Sequence, residues 1–172
     1  MPRNNGPEAT TLRASCRQHK QPNQPQMRVL NQFIKDLSFE NIASQKGVSA
    51  ESTKPDININ VNLEAKKRPA DNQYDVIIKI NILSKAKETE EVFFNLEMDY
   101  AGIFEINNIS DDQLHPYLLI ECPRIIFPYL RRIISDITRD GGYPPLSLDQ
   151  IDFLSMYQAE LEKRSLNESQ IN

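Results

Sequence analysis

The chain has 172 residues, enough for one domain with its own core. With 20 Lys and Arg against 24 Asp and Glu, its formal charge is −4, which argues against general nucleic-acid binding, since that needs a basic face to displace counterions. No apolar run approaches the ~20 residues of a membrane span, the first residues lack the apolar core of a secretory signal, and the 2 cysteines make no disulfide framework, so a cytoplasmic chain without direct membrane insertion is expected.

Residues 1–26 are rich in Pro, Gln, Asn and Arg and have almost no apolar periodicity. Such a segment cannot bury enough surface to offset its ordering entropy, so a disordered extension is expected. Cys16 and His19 stand three apart there, too few ligands for a zinc site. The folded domain is expected over 27–163, with a flexible tail at 164–172.

Four stretches then alternate with period two, as strands do. In FIKDLSFENI, Phe33, Leu37 and Phe39 fall on one face and Asp36, Ser38 and Glu40 on the other. In DININVNLEAK, Ile57, Ile59, Val61, Leu63 and Ala65 alternate with Asn58, Asn60, Asn62 and Glu64. QYDVIIKINILSKAK puts Tyr74, Val76, Ile78, Ile80 and Ile82 on one side. EEVFFNLEMDYAGIFEI puts Val92, Phe94, Leu96, Met98 and Tyr100 inward and Asn95, Glu97 and Asp99 outward. The polar links KKRPADNQ and LSKAKETEE are short enough to join antiparallel neighbours. The expected product is an antiparallel sheet with one apolar and one polar face.

Helical spacing follows, so the fold class is α+β. Ser110 with Gln113 fits a capping box opening SDDQLHPYLLIE, with Pro116 in or near the first turn. Pro123 is expected to restart a second helix, CPRIIFPYLRRIISDITRD, that stops at Gly141 and Gly142. YPPLSL reads as a stiff extended linker, and Asp152 as the cap of a last helix that frays after Lys163.

On the second helix, Ile125, Ile126, Phe127, Tyr129, Leu130, Ile133, Ile134 and Ile137 sweep an arc of roughly 200°, where a surface helix needs about 100°. One half of the arc can cover the sheet. The other half needs a second partner, and symmetric self-association is the default; Ile126, Ile133 and Ile134 are assigned to that interface. Arg131, Arg132 and Arg139 read as a solvated helix face.

No glycine-rich phosphate loop, Gly-x-Ser-x-Gly or metal-ligand cluster occurs, and His115, preceding Pro116, reads as structural. No catalytic residue, cofactor or metal is assigned. Asp36 and Glu40 lie about 13 Å apart on one strand face, wider than either two-carboxylate glycosidase geometry. With Glu97 and Asp99 they make the outer face acidic: either a solubilising surface or a docking plate for a basic partner.

From Phe33 to Tyr157, five strings resemble the SecB family of protein-export chaperones in order and spacing: IKDLSFE, YAGIFEI, ECPRIIFPYLR, GGYPPLSL and IDFLSMY. The resemblance implies a four-stranded antiparallel sheet with a long helix, a crossover loop and a short C-terminal helix on one face. It implies a homotetramer, a dimer of dimers with the long helices between two sheets. Leu96, Met98 and Tyr100 match family positions that support this assembly. The implied function is to hold unfolded secretory precursors and deliver them to the SecA translocation ATPase, with no reaction and no cofactor. Phe94 and Tyr143 match aromatic positions of the client groove, and Thr53 stands where relatives often carry a tryptophan. Asp36, Glu40 and Glu97 match the family's SecA-docking acids, which favours the docking plate. The alternatives are a general ATP-independent holdase or scaffold of the same fold without an export role, and a small-ligand enzyme, for which a convergent acid–base set is missing.

Overall fold

The computed structural model describes residues 24–47 and 55–169. In chain order it has β1 (Gln26–Asn41), α1 (Ile42–Lys46), β2 (Pro55–Lys67), β3 (Gln73–Ala86), β4 (Val92–Asn107), α2 (Asp111–Asp140) and α3 (Phe153–Ser169). The strands form one antiparallel sheet in the order β1-β4-β3-β2. The two polar links make the expected neighbours β2–β3 and β3–β4. β1 pairs instead with β4, so the chain crosses from one edge of the sheet to the other after α1.

The period-two reading of β2, β3 and β4 holds in the pairing. Leu63, Ile78 and Tyr100 face each other across the three strands, as do Val61, Ile80 and Met98, and Ile59, Ile82 and Leu96. These rows build the apolar face, and Val76, Ile78, Ile82, Leu96 and Phe104 are sealed from solvent. β1 departs from the expected alternation. It starts at Gln26, seven residues before Phe33, and carries register shifts between Val29 and Asn31 and between Ile34 and Asp36. Each adds one residue opposite β4, and an extra residue exchanges the faces of everything beyond it. Leu37 and Phe39 keep the inner face, opposite Met98 and Leu96, but Phe33 lies opposite Ala101 on the outer face. The expectation that Phe33, Leu37 and Phe39 share a face is therefore corrected.

The two expected helices are one. α2 runs 30 residues through Pro116, Pro123 and Pro128 without a restart. Each proline removes one amide from the ladder. The offset comes from packing, which supplies most helical stability in proteins: Cys122, Ile126, Leu130 and Ile134 are fully buried. α2 comes close to the sheet over Gly102, where a Cβ would meet the Phe104 ring at 2.6 Å and Ile126 Cγ2 at 3.1 Å. The expected capping box is also corrected. Ser110 is the N-cap in extended conformation, but its hydroxyl makes no capping bond; its carbonyl accepts from the amides of Gln113 and Leu114. The helix does stop at the glycine pair, where Gly142 takes a left-handed φ of 86° that disfavours a side chain.

Asp152 caps α3 as expected. Its Oδ1 accepts from the amides of Leu154 and Ser155, each at 3.1 Å, and the Ser155 hydroxyl donates to its Oδ2. These bonds, that of Ser155 first, hold the Asp152 carboxyl below its ordinary pKa. α3 continues to Ser169, past the expected end at Lys163, with Arg164 paired to Glu160 one turn back.

Candidate functional site

The segment after α2 forms one wall of an apolar groove. Asn41, the last residue of β1, organises the junction. Its Nδ2 donates to the Gly141 carbonyl at 2.7 Å, and its Oδ1 accepts from the Ser44 amide at 3.2 Å and from the Tyr143 hydroxyl at 2.7 Å. The Tyr143 oxygen also stands 3.0 Å from the Phe93 carbonyl, and burial pushes its phenol pKa up. The buried Thr138 hydroxyl accepts from the Leu146 amide at 2.9 Å and donates back to the Ile134 carbonyl. With both ends tied, the Pro144–Pro145 strap is held over the sheet. Beneath it the rings of Phe39, Phe94 and Tyr143 form a chain, with centroids 5.4 and 4.8 Å apart. The cavity holds about 240 Å³ and is lined by Ile57, Phe93, Phe94, Tyr143, Pro144 and Leu146 among others. Phe94 is its buried floor and half-buried Tyr143 its wall, so the two expected groove aromatics do come together. Thr53 lies outside the described residues. The grip is apolar and carries no acid–base pair, which suits unspecialised contact with side chains.

A larger cavity of about 320 Å³ lies between β2, α2 and α3, with Val61, Leu63, Leu119, Met156 and Tyr157 in its walls. His115 sits here, its Nδ1 3.1 Å from the Tyr157 hydroxyl, in a helix-to-helix contact. The sequence reading missed this cleft; the apolar side of α3 was its only signal.

Asp36, Glu40 and Glu97 stand together, exposed on the outer face of the sheet. Glu97 is opposite Ser38, Glu40 opposite Asn95, and Asp36 opposite Asp99. Like charges directly opposite are destabilising, so this last row is a cost to the fold. The nearest cation in the row, Lys79, is 3.7 Å from Asp99 but closer, at 2.8 Å, to Glu64. That hydrogen bond with Glu64, followed by the charge of Asp99, raises the Lys79 pKa, and the same bond lowers that of Glu64. Glu97 Oε1 accepts from Asn81 and Asn95 at 2.8 and 3.3 Å. Phe33, turned outward by the bulge, lies one row away and is 39% exposed. Sequence reasoning missed it, because a bulge leaves no mark in an alternation of side chains.

The residues expected at a subunit interface divide. Leu96, Met98, Tyr100, Ile126 and Ile134 are all buried in the chain's own core. Ile126 and Ile134, assigned from the sequence to the interface, are packed by α2 against the chain's own sheet. Ile133 is half-buried. The open flank of α2 shows Ile125 and Tyr129, at 39% and 48% exposure. Tyr129 lies near enough to Tyr100 to add to the effect of burial in raising the Tyr100 pKa. Tyr100 in turn pairs with Ile34, which is exposed like Leu37 farther along β1. One apolar patch therefore runs from α2 to the β1 edge. Inside it, Gln32 Oε1 is buried without a hydrogen-bond partner among the described residues.

Among the described residues no three His, Cys, Asp or Glu side chains are grouped to hold a metal, and no helix is long and apolar enough to cross a membrane. Cys122 is buried and its thiol is pushed up to about 12 by burial, so it is no nucleophile.

Residues 20–164 match the family described as Preprotein translocase subunit SecB. Three similar relatives carry the name Protein-export protein SecB. That of Roseobacter denitrificans is 61% identical, over 84% of this chain and 87% of the relative. That of Ruegeria pomeroyi is 59% identical over the same shares, and that of Dinoroseobacter shibae 57% identical over 88% of each. Among solved structures, a SecB-like chaperone of Mycobacterium tuberculosis in complex with a ChAD peptide from an antitoxin superposes with a TM-score of 0.60. It is 14% identical and matches 73% of this chain and 90% of that one, a likeness of fold.

Proposed function

The chain belongs to the SecB family, and from that premise we propose a protein-export chaperone that binds unfolded precursors in its apolar groove and offers its acidic sheet face to the SecA translocation ATPase. It works in the cytoplasm by binding and release, without a reaction step. The observation that carries the reading is the strapped aromatic groove: Phe94 and Tyr143 are brought to one cavity by a crossover segment tied at Asn41 and Thr138. Its apolar walls suit the exposed side chains of an unfolded chain and discriminate little between them.

Two surfaces support the partner assignments. Asp36, Glu40 and Glu97 are gathered on a face that none of the described helices covers, and their charges suit a basic tail. The open patch of Ile34, Leu37, Ile125 and Tyr129 supports assembly into a dimer of dimers, because a long, apolar edge strand left bare invites pairing with another chain. Leu96, Met98, Tyr100 and Ile134 serve that assembly by shaping the layer beneath, and Ile133 by standing at its margin.

The test has two readings. The protein should suppress aggregation of an unfolded precursor, and Tyr143→Ala should weaken this. It should also be retained by SecA. Holding without SecA retention would favour the general holdase of the same fold; no holding at all would overturn the chaperone reading.

A further inference from the structure

The bulge between Ile34 and Asp36 does more than shift the register of β1. It leaves Phe33 on the outer face of the sheet, one row from the opposed pair Asp36 and Asp99. The row of Phe33 continues through Ala101 on β4 and Ile77 on β3, both buried, so Phe33 is the exposed end of a short apolar row. Its ring is 39% exposed, and among the described residues no second ring and no cation is stacked on it.

The carboxylate in the neighbouring row is open as well. Asp36 Oδ1 accepts from the Leu37 amide at 3.0 Å, and Asp36 has no ion-pair partner among the described residues. Lys35, the extra residue of the bulge, engages no carboxylate among them. Lys79, the cation within the row, is 2.8 Å from Glu64 and 3.7 Å from Asp99. Asp36, Glu97 and Asp99 line a hollow of about 210 Å³ on this face.

Successive rows on one face of a strand are two residues apart, about 7 Å. An aromatic face and a carboxylate at that spacing, both open, fit one kind of side chain better than the rest. The guanidinium of an arginine is planar and weakly hydrated. It can lie over the ring while its edge forks to the carboxylate. A lysine meets the carboxylate as a compact, strongly hydrated charge and gains less from the ring.

We infer that Phe33 and Asp36 form a seat for an arginine of the basic segment that docks on this face, and that Phe33 sets a preference for arginine over lysine there. The inference rests on the reading of the acidic face as a docking surface and adds to it the identity of the cation. An exposed contact between a cation and a ring changes affinity about two- to five-fold.

Fluorescent hexaarginine and hexalysine peptides, titrated onto the full chain at low salt, read the preference directly. Phe33→Leu keeps an apolar side chain at the position and removes the aromatic face. It should lower hexaarginine affinity about two- to five-fold and leave hexalysine affinity at the parent value, while Phe33→Tyr keeps the parent preference. In a chain carrying Asp36→Asn with Glu40→Gln, both peptides should bind more weakly, and adding Phe33→Leu should change the preference no further. An unchanged preference in Phe33→Leu, or an equal loss for both peptides, overturns the arginine seat and leaves the docking face standing. A full preference that survives the loss of the Asp36 and Glu40 charges overturns the seat too, since the peptides then bind elsewhere. Neither peptide bound by the parent overturns the docking reading and the seat with it.

Discussion

Strands β4 and β1 lie side by side and turn the same kinds of side chain to the same face, yet their environments differ. On β4, Leu96, Met98 and Phe104 lose essentially all contact with solvent beneath α2. On β1, Ile34 and Leu37, paired with Tyr100 and Met98, stay 43% and 39% exposed. The difference is coverage. α2 closes down on β4 at Gly102 and reaches β1 near its ends, with Cys122 Sγ 3.5 Å from Met27 Sδ and Gly141 against the Phe39 ring. The middle of β1 stays open. Among the described residues the core is complete on one side of α2, and the other side, with Ile125 and Tyr129, stays open.

Substitutions on the two strands should then fail in different ways. Met98→Asp places a carboxylate in the chain's own core, where an unpaired charge is expelled or neutralised. It should cost about 3 kcal/mol or more of folding stability, read as a large drop in the urea midpoint. Dissociation of a still well-folded chain would contradict the placement of Met98 inside the subunit. Ile34→Asp should do the reverse. Sedimentation should show smaller species while the circular-dichroism spectrum is kept. An assembly unchanged in mass would remove the β1 patch from the interface.

Within the groove the effects are smaller. Tyr143→Phe keeps the ring against Phe94 and removes the hydroxyl bonded to Asn41. A loss of about 1 kcal/mol in stability is expected, with client binding weakened far less than by Tyr143→Ala. Equal losses from both would mean that the strap's position, not the aromatic wall, governs binding. Smallest is the effect on Cys122, which should resist a maleimide at pH 8 in the folded chain and react once unfolded. Its thiol, at about 12, stays protonated there. Rapid labelling of folded protein would show that α2 opens.

How much of this was legible follows from where the chain is regular. β2, β3 and β4 alternate without interruption, so their faces were readable residue by residue. β1 alternates too, but its two extra residues at the bulges are visible only against a partner strand. That is why Phe33 was assigned to the wrong face and the β4 pairing went unseen. Pro123 read as a restart because local propensity forbids it in a helix; the burial of Ile126, Leu130 and Ile134 overrides that preference. The apolar arc of α2 did announce two partners, but spacing alone could not divide it, and Ile126 and Ile134 fell on the side of the sheet. The groove pair Phe94 and Tyr143, 49 residues apart in sequence, was legible only through the family resemblance.

On the proposed function, clients and the motor use different surfaces: an apolar groove beneath the Pro144–Pro145 strap and an acidic face on the far side of the sheet. Asp36→Asn with Glu40→Gln tests it most directly, since it removes two charges per subunit at nearly constant size. SecA affinity should fall, most steeply at low salt, while the affinity for an unfolded precursor stays at the parent value. Unchanged SecA affinity at low salt, or loss of both activities together in a folded protein, would contradict the division.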